Sequence, residues 1–247
     1  MSLKDRKARD LRSRESLILS AARTMLLQDG YLGLSMERLA AAVEYSKPTL
    51  YTHFETKEDL IMAVALEGLR KRVELFGRAA QFKGNSRERM CALGLADEIF
   101  VHNYPDHYQL EQLLKLPSIW EKASDSRRAD LNSLDQLCFG IMHGIIGQAI
   151  ADGDFDPRRH RPEDIGEGLR AISAGTHFYA SASARKGQPL EAIYARNRRN
   201  GHALLDGAGW KPFVRDHDYD AAYQRMVTEV FAAEWEAMPY APKLNPE

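Results

Sequence analysis

Apolar residues along this chain recur at spacings of three and four, and no stretch shows sustained alternation of apolar and polar residues. The first spacing places side chains on one face of an α-helix, whereas alternation is typical of a half-buried strand. The pattern therefore predicts an all-α protein.

The first sixty residues predict three short helices and the start of a fourth. The first is expected from about Arg14 to Gln28 and to end at Gly30, because glycine tolerates the left-handed conformation of a helix cap. The second is expected over 36–43, and the third begins at Lys47. Three hydroxyl residues stand at the expected N-caps of the second, third and fourth helices: Ser35, Ser46 and Thr56.

The fourth helix is long, with an apolar stripe from Ile61 to Ala80. We expect it over about 57–81, a length on the order of 37 Å at 1.5 Å per residue. Glycine, proline and Asp-Gly breaks separate further predicted helices. These are expected at about 86–103, 105–115, 126–152, 162–185, 190–206 and 218–237.

The composition is that of an ordinary globular protein, with 247 residues, 44% hydrophobic and 28% charged. No apolar run approaches the roughly 18 residues that span a bilayer, and no charged-then-apolar leader opens the chain. We therefore expect a cytoplasmic protein without a membrane partner. Cys91 and Cys138 are too few and too far apart for a disulfide scaffold or a zinc site. Each is either a small apolar core residue or a redox-sensing thiol.

The motifs of common enzyme classes are not found. The chain has no glycine-rich phosphate loop, no nucleophile elbow and no paired metal ligands. The histidines show no helical pair among carboxylates, so we expect neither a metal site nor a cofactor. The sequence thus favours a binding protein over an enzyme.

The charge is near neutral overall, at −1, but it is unevenly distributed. Residues 1–14 contain six basic and two acidic residues, which predicts a basic arm over 1–13. Such a segment is either an electrostatic footprint for phosphate or a solvated tail. The six cations of residues 1–14 are Lys4, Arg6, Lys7, Arg9, Arg12 and Arg14.

Three short helices within about 45 residues, the second and third joined by a tight turn, describe a helix-turn-helix. The specific residues resemble the N-terminal domain of TetR-type transcriptional regulators over about 14–62. The resemblance rests on Gly30-Tyr31, Ser35-Met36, Leu39-Ala40, Ser46-Lys47-Pro48-Thr49-Leu50-Tyr51-Thr52-His53-Phe54 and Thr56-Lys57-Glu58-Asp59-Leu60. It implies an all-α homodimer that binds double-stranded DNA.

The third helix carries side chains suited to the major groove. Lys47 offers donors to guanine, and Pro48 and Thr49 offer apolar surface to a thymine methyl. Tyr51 and His53 are long enough to reach flanking phosphates. The resemblance places Lys47, Pro48, Thr49 and Thr52 towards bases, Ser35, Tyr51, His53 and Lys57 towards the DNA backbone, and Glu37 within reach of a base.

Two features depart from the family pattern. Glu44 stands at the turn position where the family usually has glycine, so we expect it to adopt an unfavourable left-handed conformation. Residues 15–60 contain four basic and seven acidic residues, so the basic arm must supply much of the phosphate attraction.

The domain organisation follows from these motifs. We expect the arm over 1–13, the helix-turn-helix domain over 14–62, a ligand-binding and dimerisation domain over 63–238, and an extended tail over 239–247.

The larger domain offers two candidate dimer surfaces. The stretch from Ala171 to Ala184 is rich in small residues, and its position resembles the four-helix dimer interface of the family. The apolar stripe of the last helix is the second candidate. Its members are Tyr219, Tyr223, Met226, Val227, Val230 and Phe231. Gly140, Gly144 and Gly147 lie along one side of the most apolar helix, where either a neighbouring helix or a ligand is expected to approach.

Aromatic and polar residues of the larger domain are candidates for the ligand pocket. They are Phe100, His102, Tyr104, His107, Trp120, His143, His177 and Phe178. We predict a ligand-responsive regulator, a repressor released from a pseudo-palindromic operator by a small, largely apolar effector. The alternative is a helical interaction module that has lost DNA binding.

Overall fold

The computed structural model describes residues 3–184 and 187–238, and within these ranges it contains helices and loops but no strand. The all-α prediction is confirmed. The predicted tail over 239–247 and the first two residues of the arm lie outside the described residues.

Twelve α-helices are found in the described part of the chain. They are α1 Leu3–Gly33, α2 Met36–Ala42, α3 Lys47–His53, α4 Lys57–Ala80, α5 Ser86–Asn103, α6 Pro105–Glu111, α7 Pro117–Lys122, α8 Asp125–Ala151, α9 Pro162–Ala184, α10 Leu190–Gly207, α11 Tyr219–Val230 and α12 Ala232–Glu236. Short 3-10 turns follow α6 at Gln112–Lys115 and precede α11 at Val214–Asp216.

The first helix begins earlier than expected. It starts at Leu3 rather than near Arg14, so the described part of the basic arm is helical. Long-chain residues with high helix propensity fill this segment, and Asp5 lies in its first turn, where a negative charge favours the helix dipole. The helix breaks at Gly30, whose φ of 68° and ψ of −174° belong to a region that is essentially confined to glycine.

Two other boundaries differ from the prediction. Pro117 begins α7 instead of only ending the preceding helix, because proline is well tolerated in a first helical turn. The predicted last helix is divided into α11 and α12 at Phe231, whose φ of −124° and ψ of 23° are not helical.

The chain forms two compact units. The first contains the described residues up to Arg70 together with Pro105–Asp135, and the second contains Lys71–Tyr104 and the described residues from Gln136 onward. This partition differs from the expected boundary at residue 62, since α6 and α7 join the first unit.

The core of the first unit holds the short helices in place. Leu39 of α2, Leu50 of α3 and Phe54, which follows α3, are almost completely buried. Asp59 Oδ1 accepts the Ser124 backbone N–H at 2.7 Å, which ties the start of α4 to the segment before α8.

The second unit is organised around a buried cation. Arg87 is fully buried and donates to the carbonyl oxygens of Trp210, at 2.6 Å, and Pro212, at 2.9 Å. It also pairs with Asp206 of α10 at 2.7 Å, so one guanidinium joins α5 to the end of α10 and to two carbonyls of the loop that precedes α11.

The apolar stripe of the last helix belongs to this core. Tyr219, Met226, Val227 and Phe231 are each less than 10% exposed. Its assignment to the dimer surface is therefore wrong, since these side chains are already covered by their own chain.

The three glycines of α8 are not buried. Gly140, Gly144 and Gly147 are exposed, and a Cβ built at any of them meets no atom within 4 Å. The expectation that a neighbouring helix or ligand approaches them is not met by any residue in the described ranges.

Cys91 lies in α5 and is one of the two candidate redox-sensing thiols. Burial raises the pKa of the Cys91 thiol to about 12, so it is protonated at neutral pH and a poor nucleophile.

Among the described residues, no helix is both long and apolar enough to cross a membrane, and no cluster of potential metal ligands is found.

The turn before α3 provides a test of backbone strain. Glu44 has a φ of 56°, as expected from the sequence, and is the one non-glycine residue with positive φ in the described ranges. Because a Cβ disfavours this conformation by about 1 kcal/mol or more, we expect Glu44→Gly to raise the melting temperature by about 2–4 °C. Differential scanning calorimetry measures this directly.

Glu44→Ala is the matched control, since it removes the same charge but keeps a Cβ. An equal rise in both variants would show that charge, and not backbone strain, limits stability at this turn.

Candidate nucleic-acid interface

The third helix, α3, is held by an N-cap and one buried side chain, and the rest of its surface is largely exposed. Ser46 accepts the Thr49 backbone N–H at 3.3 Å, and its hydroxyl also contacts the Thr49 hydroxyl at 2.7 Å. Leu50 is the one residue of α3 that is fully buried. The remaining residues of α3 are exposed or half-buried, so this seven-residue helix presents most of its surface to a ligand.

The second helix is capped in the same way. Ser35 accepts the Arg38 backbone N–H at 3.1 Å. A capping serine uses a lone pair of its oxygen and keeps its own O–H proton, which remains able to donate to a phosphate. Both predicted N-caps of the helix-turn-helix are confirmed, and so is Thr56, which accepts the Asp59 N–H at 2.9 Å.

The predicted DNA contacts lie together on the first unit. Lys47, Pro48, Tyr51 and Thr52 of α3 are exposed, while Thr49 and His53 are half-buried. On α2 and its cap, Glu37 is exposed and Ser35 is half-buried. Lys57, the last of the nine predicted DNA contacts, is the first residue of α4.

The Lys57 ammonium has protein partners. It donates to the Tyr31 carbonyl oxygen at 2.6 Å and lies 4.4 Å from the centre of the Tyr31 ring. The Tyr31 hydroxyl in turn donates to Glu58 Oε1 at 2.9 Å. Burial lowers the pKa of Lys57, and a phosphate would have to draw this ammonium away from Tyr31.

Two other cations of the helix-turn-helix are also engaged. Arg38 donates to Asp29 Oδ2 and to the Gly33 carbonyl, both at 2.7 Å. Lys47 forms an ion pair with Glu37. The positive charge of the α2–α3 region is therefore largely compensated by its own residues.

Exposed cations stand instead on the first helix. Arg6, Arg9 and Arg14 of α1 are exposed. A groove of about 410 Å³ lies between α1 and the turn before α3. It is lined by Ser13, Arg14, Ser16, Leu17, Ser20 and Tyr45.

The lining of this groove suits a phosphate. Three serine hydroxyls, one guanidinium and the side chain of Tyr45 provide donors of the kind that contact DNA backbones. Sequence reasoning did not single out these serines, although Ser13, Ser16 and Ser20 follow helical spacing.

The predicted effector residues divide into separate groups. Phe100 of α5 and Tyr104, the C-cap of that helix, stack at a ring-centroid distance of 6.1 Å, and the Arg72 guanidinium lies 4.4 Å from the centre of the Phe100 ring. His102 and His177 both contact the Tyr194 ring, at centroid distances of 4.7 and 5.6 Å. These four predicted residues lie in the second unit.

The other four are dispersed. Phe178 is 80% exposed on α9, and His143 is exposed on α8. His107 and Trp120 belong to the first unit, where the His107 Cβ packs against Gly68.

A buried polar network lies beside the second group. Asp97 pairs with Arg72 at 3.1 Å and with His177 at 2.8 Å, and the Ser173 hydroxyl donates to it at 2.6 Å. Burial alone would raise the pKa of Asp97, but Arg72 and His177 outweigh it and hold the pKa well below its usual range. For His102 the effect of burial is the opposite, because the charged form is the protonated one. Burial lowers the pKa of His102 to about 4, so its imidazole is neutral at physiological pH.

Comparison with protein families gives one match in the N-terminal part of the chain. Residues 18–64 match the family of bacterial regulatory proteins of the tetR type. The match contains α2, α3 and the start of α4.

One curated relative and two solved structures extend the similarity. FasR, an HTH-type transcriptional activator of Mycolicibacterium smegmatis, is 25% identical over 169 residues, which are 67% of this chain and 71% of FasR. A Rhodococcus sp. RHA1 protein of unknown function has a TM-score of 0.63 and 21% identity, covering 79% of this chain and 95% of the other.

The TetR family transcriptional regulator PfmR of Thermus thermophilus has a TM-score of 0.58 and 19% identity, covering 76% of this chain and 97% of PfmR. At such identities, the solved structures show a shared fold. Residues 18–64 therefore form a domain of the tetR family of bacterial regulatory proteins, in a chain that shares its fold with solved TetR-type regulators.

Proposed function

We propose that the chain binds a pseudo-palindromic DNA operator as a homodimer and is released by a small, largely apolar effector. The observation that carries this proposal is the exposed surface of α3, where Leu50 anchors the helix and Lys47, Pro48, Tyr51 and Thr52 are left open. A helix held on a buried base with its first turn exposed is the geometry of major-groove readers.

The need for a dimer follows from the size of α3. One recognition helix reads only a few base pairs, which is too little to select a site among about a million or more competitors. Two-fold pairing doubles the recognised length and fixes the half-site spacing at one turn of DNA, about 34–36 Å.

The exposed faces of α8 and α9 support a dimer contact there. On α8 the glycines 140, 144 and 147 leave open space, although each glycine costs helix stability by roughly 1 kcal/mol relative to alanine. Leu137 on the same helix is 55% exposed. Since nothing in the described chain covers these positions, a second copy packed against them would account for the small residues found there.

The α9 face has matching properties. Ala171, Ala174, Gly175 and Phe178 are exposed and follow helical spacing, and Phe178 is 80% exposed. Such a combination of small residues and large exposed apolar side chains marks an interaction surface.

The effector region is proposed in the second unit. Phe100, Tyr104, His102 and His177 surround a core of α5, α9 and α10 in which aromatic rings adjoin the buried polar network of Asp97. A ligand that prefers one arrangement of this region would act through α4, whose residues contribute to both units. An effector that binds the DNA-incompetent state better lowers the affinity for the operator. By linkage, the operator lowers the affinity for the effector by the same factor.

The direction of control is part of the proposal. Release from DNA by the effector corresponds to a repressor, whereas the relative FasR is named an activator. A reporter placed behind the operator distinguishes the two, since loss of the protein raises expression under a repressor and lowers it under an activator.

A helical interaction module without DNA binding is the second candidate. It is favoured by the internal partners of Lys47, Arg38 and Lys57 and by the strained Glu44. A mobility-shift assay on fragments from around the protein's own gene, at graded salt and with competitor DNA, separates the candidates. A specific, salt-sensitive shift supports the operator-binding proposal, and its absence supports the module.

The contact between copies can be tested at Gly175. We expect Gly175→Arg to leave the monomer folded, because the new side chain meets open space in the chain itself. In a dimer it would place an unpaired charge in an apolar contact. Light scattering should show a monomer, and operator affinity should fall steeply while helicity stays near wild type.

Gly94→Arg on α5 is the matched control, since Gly94 is also an exposed helical glycine with open space around it. If Gly94→Arg and Gly175→Arg behave alike, or if the wild type is monomeric at micromolar concentration with and without DNA, α9 is not the dimer contact.

The phosphate contacts are tested with Tyr51→Phe and Lys57→Ala. Both should weaken binding to all duplexes alike, because backbone contacts carry no sequence information. Lys57→Ala should also reduce the slope of log affinity against log salt by about 0.9. Lys83→Ala, in the second unit, removes the same charge from an exposed position and should leave the slope unchanged. Equal slopes for Lys57→Ala and wild type would contradict the phosphate assignment.

A further inference from the structure

One ion pair links the first turns of α2 and α3. Glu37 is the second residue of α2, Lys47 is the first residue of α3, and the Lys47 ammonium donates to Glu37 Oε1. The two side chains are 63% and 46% exposed. The hydrogen bond from Lys47 lowers the pKa of Glu37, so the pair is ionised at neutral pH.

This pair is not needed to hold the two helices together. Leu39 and Leu50 are fully buried between the helices and their neighbours, and each helix has its own serine cap. An exposed ion pair contributes about 0–1 kcal/mol, so it can exchange for other partners without unfolding the turn.

A carboxylate on a DNA-facing surface is otherwise unfavourable. Phosphates repel it, and the helix-turn-helix is already poor in available cations. Its presence beside Lys47 is explained if the carboxylate has a partner in the groove. The exocyclic donor that a G·C pair presents in the major groove is the cytosine N4 amino group, and a carboxylate accepts a hydrogen bond from it.

The two halves of the ion pair match the two halves of one base pair. A lysine ammonium donates to guanine O6 and N7, and a glutamate accepts from cytosine N4. Since the ammonium and the carboxylate are already adjacent, they can address neighbouring atoms on a single major-groove edge.

We propose that Glu37 and Lys47 act as one reading pair for a G·C base pair in each half-site, and that Glu37 restrains Lys47 from binding the phosphates of unrelated DNA. This inference rests on the proposed function. On unrelated sequence Lys47 keeps Glu37 as its partner and the carboxylate repels the backbone, whereas on the operator both groups exchange their mutual bond for bonds to the base pair.

The experiment begins with the wild-type chain and a pool of randomised duplexes. Affinities are then measured for the selected operator, for all single base-pair changes in it and for an unrelated duplex, with wild type, Glu37→Gln, Lys47→Met and the double variant. We expect wild type to prefer G·C at one position of each half-site by about 5- to 150-fold.

Both single variants should lose preference at this same position. Glu37→Gln should also bind the unrelated duplex more tightly than wild type does. The double variant should lose less than the product of the two single losses, because the two groups act as a unit. Glu55→Gln is the matched control, an exposed acid between α3 and α4 whose removal should strengthen both complexes without changing any base preference.

The outcomes separate this inference from the proposed function. A wild-type chain that selects no sequence contradicts the proposed function itself. A wild-type chain that selects an operator, with variants that relax two different positions or none, overturns the reading pair while the operator-binding function stands.

Discussion

The tight turn between α2 and α3 is the constraint on which the interface depends. The Tyr45 N–H donates to the Ala40 carbonyl at 3.0 Å and the Glu44 N–H to the Ala41 carbonyl at 3.3 Å, while Glu44 takes a positive φ. This backbone path sets the angle at which α3 leaves α2. With the angle set, Leu50 enters the core and the outer surface of α3 remains available to DNA. A residue with a Cβ at this position shows that the family geometry is maintained here against local strain.

Compensated charge is the second feature that organises the interface. The cations of the helix-turn-helix are held by Glu37, Asp29 and the Tyr31 carbonyl, so attraction to DNA has to come from elsewhere or from exchange of these partners. The exposed arginines of α1 and the serine-lined groove beside Tyr45 supply the first possibility. The weakness of exposed ion pairs supplies the second. If the proposed function holds, such compensation of charge weakens binding to unrelated DNA and so increases selectivity for the operator.

Local features of the fold could be read from the sequence because they depend on neighbouring residues. The break at Gly30, the caps at Ser35 and Ser46 and the strained Glu44 all follow from conformational preferences of single residues. Features that depend on contacts between residues far apart in the sequence could not be predicted from it. Periodicity shows that α11 has an apolar face but not that its own chain covers this face. Likewise, the spacing of the α8 glycines predicts a close approach, but the structure shows these positions open to solvent.

The candidate sites follow the same division. The exposure of the α3 residues could be expected from the sequence because one short helix carries them. The Glu37–Lys47 pair joins residues ten positions apart on two different helices. The network of Asp97 and His177 joins residues eighty positions apart, and no spacing rule points to it. His143 and Phe178 are aromatic or polar residues on apolar helices, which made them pocket candidates. The structure places both at the surface, because composition does not specify which side of a helix is covered.

A hydroxyl-radical footprint of the wild-type chain on its operator tests the central claim most directly. We expect two protected segments of equal size, related by a two-fold axis and centred one helical turn of DNA apart, about 34–36 Å. A single protected segment, or protection that does not depend on sequence, would contradict the account of a dimeric reader with one recognition helix in each half-site.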